Sequence, residues 1–133
     1  MSTEGHCNCG SVRVTLPDPP DGSLICFCLN CRRAGGGLGS FNYTLAKSAV
    51  IVSDPKGSLK SYHDSNTDSG NTITRNFCGN CGSPVTTEVP LHPEVVIVKA
   101  SLFNHIAAPA QEAYAEKKMD WAKKNITIEQ PSK

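Results

Sequence analysis

Gly5-His6-Cys7-Asn8-Cys9-Gly10-Ser11 opens the chain, and Phe77-Cys78-Gly79-Asn80-Cys81-Gly82-Ser83 repeats its logic far downstream. Each stretch brings two thiols close together in sequence and sets a glycine directly after the second. A glycine there lets the backbone turn tightly beneath a metal, because it enters the left-handed region without a Cβ clash. Zinc takes four ligands at short fixed distances, so two such knuckles make one complete tetrahedral set from Cys7, Cys9, Cys78 and Cys81. Closing the chain between Cys9 and Cys78 costs roughly 4 kcal/mol of loop entropy. A structural zinc supplies on the order of 10–16 kcal/mol. The metal term wins, and it ties the start of the chain to its middle.

Seven cysteines are present, and the remaining three form a local group, Cys26-Phe27-Cys28-Leu29-Asn30-Cys31. Three thiolates on one zinc leave the fourth position to water or substrate, the usual arrangement of a catalytic site. Two other partitions remain open at this point. Cys28 and Cys31 can pair with Cys78 and Cys81 as a zinc ribbon, which strands Cys7, Cys9 and Cys26. Alternatively a histidine, His63 or His105, closes the second site as a Cys3His set. Disulfides are the competing use of cysteine. The odd count argues against them, as does an N-terminus with no basic stretch leading into an apolar run, which places the chain in a reducing, cytoplasmic setting.

Hydrophobic residues make up 38% of the 133 residues and aromatics only 6%, so apolar burial needs help from the metal. Length and the absence of repeats imply a single domain over 1–133. No run of about 18 apolar residues suggests a membrane span. Thirteen Lys and Arg against twelve Asp and Glu give a net charge of +1, too balanced to advertise nucleic-acid binding. Short β-branched or aromatic runs between turn formers predict strands at Val12–Leu16, Leu24–Phe27, Phe41–Leu45, Val50–Val52, Leu59–His63, Thr72–Phe77, Val85–Val89 and Val95–Ala100. The one helix-like stretch lies around Gln111–Lys124, where apolar positions form no clean stripe. The expected class is therefore mainly β, in small antiparallel sheets with at most a short C-terminal helix.

These three cysteine motifs, with Arg32-Arg33 after the central one and Arg75-Asn76 before the last, resemble the glutathione-dependent formaldehyde-activating enzyme family, which includes the centromere protein V type domain. The pattern covers residues 5–105 and leaves 106–133 as a C-terminal extension. The resemblance implies a zinc-stapled β-tent fold and two zincs per chain. It implies that Cys7, Cys9, Cys78 and Cys81 hold the structural zinc, and Cys26, Cys28 and Cys31 the catalytic one. It further implies carbon–sulfur lyase or adduct-forming chemistry on a small-molecule thiol such as glutathione and a carbonyl compound such as formaldehyde. Phe27 departs from the histidine common at that place in the family, which bears on substrate preference rather than on metal binding. Arg32 and Arg33 are candidates to bind a substrate carboxylate, while Arg75 reads as a structural charge partner. His63, Asp64 and Glu88 qualify as proton-transfer groups by type alone, residues 64–71 read as a surface loop or lid, and Tyr114 and Trp121 read as packing residues. A homodimer is allowed. The competing reading is a non-catalytic zinc module for protein or chromosome association.

Overall fold

The structure is a computed structural model that describes residues 1–125. The end of the expected C-terminal extension, residues 126–133, lies outside the described residues.

Two sheets carry the chain. The smaller runs β1 (Thr3–His6), β2 (Arg13–Leu16) and β5 (Ile51–Ser53) in the order β1-β2-β5, antiparallel throughout. Alternation along Val12-Arg13-Val14-Thr15-Leu16 turns Val12, Val14 and Leu16 inward, where all three are fully buried, and leaves Arg13 outside to pair with Glu4. Gly5 sits in β1 against the backbone of Leu102. An added Cβ would come within 2.7 Å of the Leu102 carbonyl oxygen, so only glycine allows this approach.

The larger sheet holds β3 (Ser23–Cys26), β4 (Ser40–Ala46), β6 (Leu59–Asp64), β7 (Ile73–Cys78), β8 (Pro84–Glu88), β9 (Val95–Lys99) and β10 (Pro109–Ala113). Its order is β10-β3-β4-β9-β8-β7-β6. Every pairing is antiparallel except β10 on β3. The eight expected strand runs each correspond to an observed strand, within a residue or two at either end. Strands β1 and β10 were not expected. The first contains a glycine, and the second, Pro109-Ala110-Gln111-Glu112-Ala113, has no β-branched residue; pairing with β3 makes it a strand.

Helices are short. α1 (Leu29–Gly35) follows the central cysteine motif, and α2 (Asp120–Asn125) follows a single 3-10 turn at Ala115–Lys117. The expected helical stretch of 111–124 thus divides into strand, turn and helix. α1 was not anticipated. It is nucleated at Cys28, whose sulfur accepts a hydrogen bond from the Cys31 N–H in the manner of an N-cap, and it ends at Gly36 with φ +75°.

Register divides the larger sheet into two unlike faces. Tyr43, Val96, Val98 and Val85 point towards the smaller sheet and pack with Val12, Val14, Leu16, Leu102 and Phe103 as the apolar core. On the other face, Tyr62 lies opposite Arg75, Arg75 opposite Thr87, and Thr87 opposite Ile97. Lys99, two residues beyond Ile97, lies opposite Asn42, and Cys26 lies opposite Ser40. Side chains two apart on a strand share a face. Asp64, Arg75, Thr87, Lys99, Asn42, Ser40 and Cys26 therefore form one polar band, and every one of them is buried. Helix α1 lies over this band. Asn30 donates from its amide to both carboxylate oxygens of Asp64 (3.1 and 3.2 Å) and to the Asn66 carbonyl (2.7 Å), which fastens the helix to the edge of the sheet.

Candidate metal centres

Cys7 follows the end of β1 and Cys78 ends β7, so the two sheets each deliver one knuckle to a common point. In each, the glycine closes the turn onto the first cysteine. The Gly10 N–H donates to the Cys7 carbonyl (2.9 Å) with φ +82°, and the Gly82 N–H donates to the Cys78 carbonyl (2.7 Å) with φ +81°. The Ser83 hydroxyl accepts from the Asn8 N–H at 3.0 Å and joins the knuckles. Cys9 Sγ stands 3.7 Å from both Cys7 Sγ and Cys78 Sγ, and all four sulfurs lie within 4.8 Å of one another. Four sulfurs about 2.3 Å from a tetrahedral zinc would be separated by about 3.8 Å. The donor set fits zinc. The Ser11 hydroxyl, with help from Asn80, holds the Cys9 thiol down to about 5, and the Ser83 hydroxyl holds Cys81 down to about 7. These shifts favour the thiolate, which is the form that binds metal.

The second cluster is assembled by one short segment. Cys26 is the last residue of β3, Cys28 caps α1, and Cys31 lies in its first turn. Their sulfurs also lie within 4.8 Å of one another. Among the described residues no histidine or carboxylate ligand atom joins either cluster. The zinc-ribbon partition and the Cys3His closure are therefore both excluded. His63 is exposed and pairs with Thr74 on the face of the sheet away from Cys26, and His105 is exposed as well.

Charge around the second cluster is organised by the polar band. A hydrogen bond from the Cys26 thiol, then one from Cys28 and the fields of Lys99 and Arg75, hold Cys31 down to about 5 against the effect of burial. Sharing with Cys31 and burial push the Cys26 thiol up, and burial pushes Cys28 up. These opposed shifts favour the anion on Cys31. Arg75 donates from Nε to Asp64 Oδ2 at 2.8 Å in a buried pair, and its charge acts on Cys31. Lys99 Nζ donates to Ser40 Oγ (2.9 Å) and Asn42 Oδ1 (3.0 Å), with the thiolates as its nearest anionic influence. Zinc carrying three thiolates has a net charge of about −1, so the buried ammonium offsets it.

The other candidates from sequence are spread out. Arg33 is exposed near the end of α1, and Arg32 is directed at the Met119 sulfur, 3.8 Å away. Glu88 is held by Lys47 and Asn76 beside a different cavity, which Val50 and Val96 also line. Asp64 is the one proton-transfer candidate close to the cluster, and it is occupied by Arg75 and Asn30. Phe27 turns away from the cysteines to the apolar side, packing near Gly39 under the Lys118 ammonium at 4.8 Å. Tyr114 has a left-handed backbone (φ +55°), and its phenol is pushed up by desolvation and by Asp68, Cys28 and Cys26. This makes it a neighbour of the open cluster rather than a packing residue alone. Lys99 was missed in the sequence, although a lysine ending the apolar run Val95-Val96-Ile97-Val98 was a signal that a buried cation needed a partner.

A mainly β chain with one saturated four-cysteine cluster and one three-cysteine cluster is a two-site zinc protein. The chain belongs to the glutathione-dependent formaldehyde-activating enzyme family, whose model matches residues 2–123, and so to a family of zinc-binding enzymes. No curated protein matches it. Among solved structures, the crystal structure of a Rhodobacter sphaeroides protein is similar, with a TM-score of 0.63 and 21% identity over 83% of this chain and 99% of that one. That likeness supports the fold alone. Among the described residues no helix is long and apolar enough to cross a membrane.

Proposed function

We propose that the protein is a carbon–sulfur lyase or adduct-forming enzyme that joins a thiol such as glutathione to a small aldehyde such as formaldehyde, or reverses that addition. One observation carries this reading: among the described residues Cys26, Cys28 and Cys31 converge with no fourth protein ligand, whereas Cys7, Cys9, Cys78 and Cys81 complete a set. The four-cysteine centre then has a structural role and the three-cysteine centre a catalytic one. When bound there, zinc would deprotonate a coordinated thiol and polarise a carbonyl oxygen.

The chain's own groups supply the rest. Cys28 and Cys31, fixed by the first turn of α1, and Cys26, fixed by β3, hold three corners of the site and leave the fourth to substrate. Lys99 and Arg75 offset the sulfur charge, and Asn30 and Asp64 hold the helix in place. In the forward direction a carbon–sulfur bond forms, the carbonyl π bond breaks, and the thiol proton ends on the new hydroxyl oxygen. Arg32 and Arg33 stay in this proposal as surface contacts for a substrate carboxylate.

The test is exchange NMR of glutathione with formaldehyde, with and without fully metallated protein. Accelerated exchange is expected for wild type and not for Cys31→Ser. No acceleration by a protein holding two zincs would remove the formaldehyde reading and favour the non-catalytic module.

A further inference from the structure

A cavity of about 220 Å³ opens between α1 and the second knuckle, and two of its lining residues, Arg75 and Lys99, act on the charge of Cys31. Ala34 of α1, one turn beyond Cys31, forms one wall, and Gly82 and Pro84 form another. Its floor is the polar band, including Arg75, Thr87 and Lys99. Three features there can serve a ligand as well as the metal centre. Arg75 and Lys99 are two cations buried to 8% and 5% exposure. Lys99 spends two of its three N–H donors on Ser40 and Asn42. Thr87 is 4% exposed, and its buried hydroxyl has no hydrogen-bond partner among the described residues. A buried hydroxyl without a partner costs about as much as a lost hydrogen bond, so a native fold keeps one where a ligand or water completes it.

We infer that this cavity is a carboxylate subsite, in which Arg75, Lys99 and Thr87 hold the anionic group of the substrate beside the open three-cysteine centre. The inference deepens the proposed function, since it assigns the reaction a carboxylate-bearing substrate. A monoanion fits better than a dianion, because Asp64 and the thiolate centre already offset the two cations and each further negative charge meets more repulsion. A planar carboxylate also matches the guanidinium fork. The cavity is small for a whole tripeptide, so it takes a compact acid or one arm of a larger thiol. The carboxylate can belong to the thiol or to an anionic aldehyde.

The experiment is an NMR titration of zinc-loaded protein with propionate and, separately, propionamide, read at the Thr87 methyl and the Lys99 ammonium. Propionate should saturate in the millimolar range, with propionamide at least about tenfold weaker, as a charge-assisted contact requires. Thr87→Val keeps the shape, removes the orphan hydroxyl without loss of stability, and should weaken propionate severalfold. Lys99→Met should weaken it about tenfold, and Thr87→Val carries the test should that variant not fold. Equal responses to the two probes, or none, would overturn the subsite and leave Arg75 and Lys99 as counter-ions to sulfur alone. Displacement of bound propionate by glutathione assigns the carboxylate to the thiol, and displacement by glyoxylate assigns it to the carbonyl partner. Thiol–formaldehyde exchange can fail while propionate still binds, in which case the proposed reaction falls and the subsite stands.

Discussion

Replacing Asp64 by alanine should cost the protein both stability and its hold on one of its two metals. Asp64 is 6% exposed, and its carboxylate accepts from Arg75 Nε at 2.8 Å and from Asn30 at 3.1 and 3.2 Å. Removing it leaves a buried guanidinium without its carboxylate and releases α1 from the edge of the sheet. Breaking a buried ion pair from one side costs roughly 3–5 kcal/mol. The nearby Cys31 sulfur offsets part of the orphaned charge, so the lower end of that range is expected. For a domain of this size about 3 kcal/mol corresponds to a fall in Tm of roughly 10 °C. Because Asn30 lies between Cys28 and Cys31, the same change should loosen zinc at the three-cysteine centre and spare the four-cysteine one. Thermal unfolding read by circular dichroism, with zinc counted after mild chelation, measures both effects. The isosteric Asp64→Asn separates charge from volume and should show the smaller fall. A Tm within about 2 °C of wild type, with two zincs retained after chelation, would refute the idea that this pair docks the helix.

Metal counting separates the two centres in a second way. Wild type should hold two zincs per chain, and Cys31→Ser one, in a protein that keeps its sheet. Cys78→Ser should fail to fold or melt far lower, because Cys78 is fully buried in the core and joins the two sheets; a Cys31→Ser protein holding two zincs, or a stable Cys78→Ser, would contradict this. A third expectation concerns pH. Cys31 is already a thiolate above about 5, whereas Cys26 and Cys28 are pushed up and hold their protons until metal displaces them. Zinc uptake at this centre should therefore release two protons near neutrality. Affinity should rise about 100-fold per pH unit and be lost as pH falls. Competition with a chromophoric chelator at several pH values gives the slope, and a slope of one or less would be the wrong answer.

The two cysteine groupings were legible before the fold because metal coordination is a local demand written in residue type and spacing. Cys-x-Cys-Gly and Cys-x-x-Cys-Gly announce knuckles wherever they occur, and β-branched runs such as Val95–Val98 announce strands by the same short-range logic. Strand β10 escaped notice because Pro109–Ala113 has no propensity of its own and is a strand only through β3. Helix α1 escaped because its start is a cysteine acting as cap, a role that no apolar period advertises. Tertiary structure alone decided which charges meet. Asp64, Arg75, Thr87 and Lys99 come from four strands, and they face one another because antiparallel register and the two-residue alternation put them on a single side of the sheet. Sequence fixes which residues can hold zinc, since the ligands of each knuckle are neighbours along the chain. What stands beside the metal depends on strand order and register, which are set by burying one apolar face, and no single segment contains that information.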